Sequence, residues 1–307
     1  STAFNTQSAA SSLLAGGEGL NNNQALDNNF DSDSFSSTTT MRGSASFQVG
    51  AVYESAITEA VTATYSYKLD LNTSFTGDDN LYVEIEAGNS STSVDFALDE
   101  SVVGDDKLNV ASMYYQFPLG NFDVAVGPKL DNDDLMPTTT SKYSDSFFFG
   151  SQYGLDTNYF AKQGTGSGLA VARTFDNGWN ASGSFIGTGG STASGILTKE
   201  GIDVLTLSLG YDADNYGGGI VYQSSDSICT LAGNYQTDLC NNFGVTTILD
   251  MGYSSTTFGA YYSPGEETTL SVTSSVIDAS ISGTTVDAIT DFQFAVDRKL
   301  GEGTLSA

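Results

Sequence analysis

The chain has 307 residues, with 10 basic against 37 acidic side chains, no histidine and a net charge of −27. So few Lys and Arg exclude a nucleic-acid partner, whose phosphates need clustered cations, and the lack of His excludes His-based triads and His-ligated metals. Only 15% of residues are charged, whereas Gly supplies 34, Phe 18 and Tyr 16, a composition that suits neither a disordered polymer nor a packed α-protein.

Residues 1–35 stand apart from the rest. A small-residue run at 7–15 is compatible with a short helix, and GGEGLNNNQALDNNFDSDS after it reads as loop. No cleavable leader is visible and Ser1 opens a polar segment, as expected of a mature, processed chain. This part is read as a linker or entry segment, and 36–307 as one β domain. No stretch approaches the roughly 18 apolar residues of a membrane helix.

From about Thr38 the pattern has a period of two. Met41, Gly43, Ala45, Phe47 and Val49 share one face, with Arg42, Ser44, Ser46 and Gln48 on the other. Val61, Ala63, Tyr65, Tyr67, Leu69 and Leu71 then alternate with Thr62, Thr64, Ser66, Lys68, Asp70 and Asn72, the length of a tilted transmembrane strand of about 9–11 residues plus its ends. Leu81, Val83 and Ile85 oppose Tyr82, Glu84 and Glu86, and Phe122, Val124 and Val126 oppose Asp123 and Ala125. Later runs repeat this. Trp179 to Phe185 alternates with Asn180, Ser182 and Ser184; Leu205, Leu207 and Leu209 oppose Thr206 and Ser208; Phe292 and Phe294 oppose Gln293. Further strands are predicted at 107–117, 168–175, 216–223, 244–253, 256–262 and 268–276, with PLGN and DNGW as hairpin turns.

A soluble sandwich also alternates, so the polar face has to decide. It is mostly Ser, Thr, Gly and Asn rather than the bulky charged residues of a wet surface, while Tyr114, Tyr115, Phe117, Tyr261 and Tyr262 gather at strand ends, where an aromatic girdle would sit. The predicted fold is therefore an all-β, antiparallel transmembrane barrel. Its rhythm breaks between Gly127 and Gly168, in PKLDNDDLMPTTTSKYSDSFFFGSQYGLDTNYFAKQ, which follows the fifth predicted strand. An insert this long inside a compact domain is usually functional. The run Phe147, Phe148, Phe149 within it is read as loop packing rather than a hydrophobic gate. Cys229 and Cys240 lie in polar, turn-rich sequence and are expected to form a loop disulfide in an oxidising compartment; two free thiols are the alternative.

The stretches SMYYQFPLGNFDVAVGPKLDNDDLMP (112–137), SDSFFFGSQYGL (144–155) and RTFDNGWNASGSFIGTGG (173–190) resemble cyanobacterial outer-membrane porins, known as iron-uptake porins or carbohydrate-selective porins of the OprB type. The resemblance covers about 36–300. It implies a barrel of roughly 16 strands, an inward-folded loop after the fifth, a homotrimer, and contact with outer-membrane lipid and lipopolysaccharide. It also implies wall binding only through an N-terminal periplasmic domain that these residues lack. About 14 strands can be counted and the chain ends at Ala307 without a terminal aromatic, so the last strands are expected to be missing here.

The implied function is passive diffusion of small hydrophilic solutes and ions, carbohydrates included, with weak cation selectivity, and no enzymatic activity. Permeation needs a width and a field rather than a catalytic group. The candidate constriction residues are Asp131, Asp133, Asp134 and Asp145 on the acidic side, against Arg42, Lys68 and Lys129. Ordinary surface charges on an external loop are the bland alternative, as are wall salt bridges from Arg42 or Lys68 to Glu84 or Glu86. No cofactor or metal is expected. DNDD leaves structural Ca²⁺ open, although it lacks the Gly and late Glu of an EF-hand. The competing function is an exposed, acidic, β-rich adhesin or surface-layer protein, calcium-binding in one version.

Overall fold

The computed structural model describes residues 38–51, 60–90, 106–143, 165–193, 195–198, 203–225, 251–281, 284–285 and 287–306. Residues 1–35, Asp145, the Phe run at 147–149, Cys229 and Cys240 lie outside the described residues. The chain divides into two units, 1–117 and 118–307.

In the first unit β1 (Thr39–Gly50), β2 (Thr62–Thr73), β3 (Asn80–Gly88) and β4 (Asn109–Leu119) pair in sequence order, each antiparallel to the last. In the second, the meander runs through β5 (Phe122–Asp131), β6 (Thr165–Thr174), β7 (Trp179–Gly187), β8 (Asp203–Asp212) and β9 (Tyr216–Ser225). It continues through β10 (Met251–Gly265), β11 (Thr268–Ile281), β13 (Ile289–Leu300) and β14 (Gly303–Ser306), while the two-residue β12 (Thr284–Thr285) pairs with the end of β11. The described residues contain no helix, and so none long and apolar enough to cross a membrane.

Within each unit the connections differ systematically between the two ends of the strands. Strands β2–β3, β6–β7, β8–β9, β10–β11 and β13–β14 are joined by short turns, three of which rest on Gly77 (φ 99°), Gly178 (φ 88°) and Gly301 (φ 62°) in a conformation that a side chain disfavours. The opposite ends are separated by 132–164, 188–202, 226–250 and the shorter 282–288 in the second unit and by 51–61 and 89–108 in the first. The two ends are called here the short-turn end and the long-loop end. The turn 74–79 is organised by Asp79. Its carboxylate accepts hydrogen bonds from Ser74 Oγ (2.8 Å), Phe75 N (2.9 Å), Thr76 N (2.7 Å), Thr76 Oγ1 (2.9 Å) and Tyr115 Oη (2.6 Å). The tyrosine hydroxyl above all, helped by the turn donors, holds Asp79 well below the usual carboxylate range.

The two faces of the strands are inverted relative to a water-soluble sheet. Leu207 is 46% exposed and Phe292 69%, whereas Thr206 is 2% exposed and Ser208 7%. Met41, Phe47, Val49, Leu205, Leu209 and Phe294 are likewise exposed, and Thr64, Ser66, Thr257, Thr273 and Gln223 or its neighbours on that parity are buried. Long apolar side chains left outward in unbroken rows would cost a protein in water its solubility; in hydrocarbon they are the required surface.

Two expectations need correcting. The ranges 244–253 and 256–262, predicted as separate strands, are not separate where they are described: β10 runs unbroken from Met251 to Gly265, because Tyr253 to Tyr262 stay in register with Ser225 to Tyr216 of β9, and 244–250 lie outside the described residues. Tyr114 and Tyr261 do not join an outward girdle. They are buried on the polar face, since period two cannot turn both members of a Tyr–Tyr pair outward. Outward aromatics at the short-turn end of the second unit include Phe122, Trp179, Tyr216 and Tyr262, with Trp179 5.4 Å and Tyr216 6.0 Å from the ring of half-buried Tyr211.

Candidate functional site

The segment that leaves β5 is the feature no simple meander requires. β5 and β6 pair regularly up to Gly127 and Gly168, then slip so that Leu130 meets Gly166 and Asp131 meets Thr165. Pro128, which has no N–H to give a ladder, sits in this irregularity. Leu130 is fully buried, and the Thr165 hydroxyl donates to Asp131 Oδ1, closing the end of the strand pair. A tight turn follows, in which Asp134 Oδ2 accepts from Asp131 N at 2.7 Å and Met136 N donates to Asp133 O at 2.8 Å.

Beyond that turn the chain lies on the polar face of its own wall. Asn132 Nδ2 donates to Thr206 Oγ1 of β8 at 3.0 Å, and Ser184 Oγ of β7 donates to Asn132 O. The Thr138 hydroxyl is 2.9 Å from Asn180 Oδ1 and 2.6 Å from Ser208 Oγ. Lys142 N donates to Ser271 Oγ of β11 at 3.0 Å, and Tyr143 packs with Ala295 of β13. Thr138, Thr140, Ser141 and Tyr143 are all buried. Residues 131–143 thus form a strap that descends from the long-loop end of β5 across β7 to β13.

The wall is built to receive it. Gly210, Gly219 and Gly259 are direct register partners across β8, β9 and β10 and share the parity of Ser208, Val221 and Thr257. A Cβ on Gly219 would lie 2.3 Å from Thr138 Cγ2, and one on Gly259 2.2 Å from Thr140 O. One row of three glycines therefore makes a trough in which the two threonines sit.

The predicted site residues are distributed unevenly around this feature. Asp131 and Asp134 are at the start of the strap, engaged in the turn, and Asp133 is between them. Lys129 is exposed on the irregular end of β5. Arg42, exposed, and Lys68, half-buried, lie on the polar face of the first unit, in register with Asp70 and with Glu86 respectively. Glu84, beside Asp70, shares with it the Tyr82 hydroxyl, at 3.0 Å and 2.8 Å. Sequence reasoning missed Asn132, Thr138, Thr140 and Lys142. The available signal was the glycine parity on β8 to β10. Among the described residues no three Asp, Glu, Cys or His side chains gather as a metal-holding group.

No protein-family model matches the chain, and no curated protein matches its sequence. Among solved structures the chain is similar to a variant of the Rhodopseudomonas blastica porin at 13% identity and TM-score 0.46, covering 87% of this chain and 92% of that one. It is also similar to the anion-selective porin from Comamonas acidovorans, at 13% identity and TM-score 0.55, over 86% of this chain and 75% of that one. At such identity the likeness is one of architecture, and that architecture is the antiparallel porin fold.

Proposed function

We propose that the chain is an outer-membrane diffusion porin, which passes small hydrophilic solutes and ions through a polar lumen narrowed by the strap that follows β5. The carrying observation is the strap itself: residues 131–143 occupy the polar face of strands whose other face is exposed and apolar. Apolar rows facing lipid and a polar lumen are what a membrane barrel requires, and a segment laid along the inside reduces the cross-section. The protein is read as a homotrimer set among outer-membrane lipid and lipopolysaccharide, of the cyanobacterial kind that its quoted stretches resemble. Carbohydrates belong to its solutes.

The lumen favours cations weakly. The acidic turn Asp131, Asp133 and Asp134 stands at the entrance to the strap, and Arg42 and Lys68, on the polar face of the first unit, are the cations that keep the preference weak. In a narrow, poorly screened gap such fixed charges act on passing ions. The neighbour from Comamonas is named for anion selectivity; 37 acidic against 10 basic residues favour the opposite sign here. The test is planar-bilayer recording in a salt gradient. Replacing the three aspartates by Asn moves the reversal potential towards anions, and neutralising Arg42 and Lys68 moves it towards cations. A protein that inserts in lipid and yields no conductance steps would refute the porin reading.

A further inference from the structure

One cation in the strap belongs to neither of the charge sets considered so far. Lys142 is near the far end of the described strap. Its N–H is tied to Ser271 Oγ at 3.0 Å, its Nζ lies 4.2 Å from the centroid of the Tyr261 ring, and the same Nζ is 3.8 Å from Asp212 Oδ1. Asp212 is the last residue of β8, Ser271 the fourth of β11, and Tyr261 is close to the end of β10. All three belong to the short-turn end of the wall, opposite to where the strap begins.

We propose that Lys142 is a selectivity-determining residue, a positive charge that the strap delivers to the short-turn mouth of the lumen and that Asp212 opposes. This inference rests on the porin reading above. The backbone bond to Ser271 and the Tyr261 ring fix the position of the ammonium. Both charged side chains keep contact with solvent, so the pair is loose enough for either partner to act on an ion at the mouth. Buried Thr140 and Tyr143 on either side leave Lys142 as the charge that this stretch of the strap presents.

Removing one member unmasks the other, so the two neutral variants must act in opposite directions. A unit charge several ångströms from the ion path, in a water-filled and partly screened mouth, changes the permeability ratio by about twofold. Bilayer recordings in a potassium chloride gradient provide the readout. Lys142→Gln raises the cation-to-anion permeability ratio, Asp212→Asn lowers it, the double variant returns close to the parent, and Lys142→Arg restores the parent ratio. If Lys142→Gln raises conductance while Asp212→Asn leaves the ratio at the parent value, Lys142 is only an anchor and the proposal falls. If the parent protein forms no channels, the porin reading itself fails; channels whose ratio ignores both single variants overturn this inference alone.

Discussion

In the proposed channel, filling the trough at Gly259 should unseat the strap without unfolding the wall. Gly259 is in the middle of β10, paired to Gly219 on one side and Thr273 on the other, at a backbone conformation that any residue adopts. Valine is the better strand former there, so the wall has no reason of its own to resist. The strap has one. An added Cβ would lie 2.2 Å from Thr140 O, 2.4 Å from Thr140 Cβ and 2.8 Å from its carbonyl carbon. Non-bonded contacts settle at about 3.5–4 Å, so the strap backbone must retreat by about 1 Å or more. Over-packing of this kind costs roughly 1–3 kcal/mol. At 1.4 kcal/mol per factor of ten, it shifts the balance between seated and displaced strap by about 5- to 150-fold. Opposing it are the hydrogen bonds of Asn132, Thr138 and Lys142 to the wall, each worth about 1 kcal/mol net. Gly259→Val should therefore shift single-channel conductance away from the parent value and change the entry rate of larger sugars in a liposome-swelling assay. Gly183→Ala is the control, because its Cβ would meet Leu207 Cδ2 at 3.2 Å on the other face. Parent-like conductance from a folded Gly259→Val protein would refute the seating of the strap in the glycine row.

Three other outcomes are expected. Leu207→Arg places a charge on the outward face and should cost about 2–4 kcal/mol in vesicles if the site is near the bilayer centre; reversible urea unfolding that shows parent-like stability would argue for a water-soluble sheet. Asp79 has a depressed carboxylate pKa, so its contribution to stability is complete above the unfolded value of about 3.9 and is lost as pH falls further towards the folded one. Thermal denaturation between neutral and strongly acid pH should show this loss in the parent and a flatter profile in Asp79→Asn. Cys229 and Cys240 should be disulfide-bonded, so denatured, unreduced protein should take up almost no thiol label, and quantitative labelling would reject the bridge.

The strands were legible because their two faces meet different solvents. Period two in 61–72 or 203–212 needs no partner to be seen, and the observed exposure follows it over 61–67 and 204–210. The break after the fifth strand was equally visible, and its beginning does turn onto the polar face. What could not be read was where the segment lands. Gly210, Gly219 and Gly259 are far apart in sequence and become neighbours only through the registers of β8–β9 and β9–β10. A shift of one residue in either pairing would turn a glycine outward and fill the trough. The same long-range dependence hid the role of Lys142, whose three contacts come from three strands. The acidic run DNDD drew attention for its charge, yet the Asp134 carboxylate serves the turn and that of Asp131 the end of the β5–β6 pair, and it is the neighbouring uncharged Asn132 that grips the wall.

The two polar faces solve different problems, and their residue choice follows from what covers them. Across β7 to β11 one register row reads Asn180, Gly210, Gly219, Gly259, Thr273. No member is charged, because an unpaired charge beneath the strap would lose its water without a compensating partner. Hydroxyls and an amide meet the strap's own polar groups instead. In the first unit the corresponding row reads Arg42, Asp70, Glu84, Ser112, and the row beside it Ser44, Lys68, Glu86. Long charged side chains are retained there. Cations stand next to carboxylates, Arg42 by Asp70 and Lys68 by Glu86, so most of the field cancels locally. Two cations against three carboxylates leave a single negative charge on this patch. A wall with so small an excess can bias ion traffic but cannot exclude either sign, so the cation preference proposed above would be weak even in a chain whose net charge is −27.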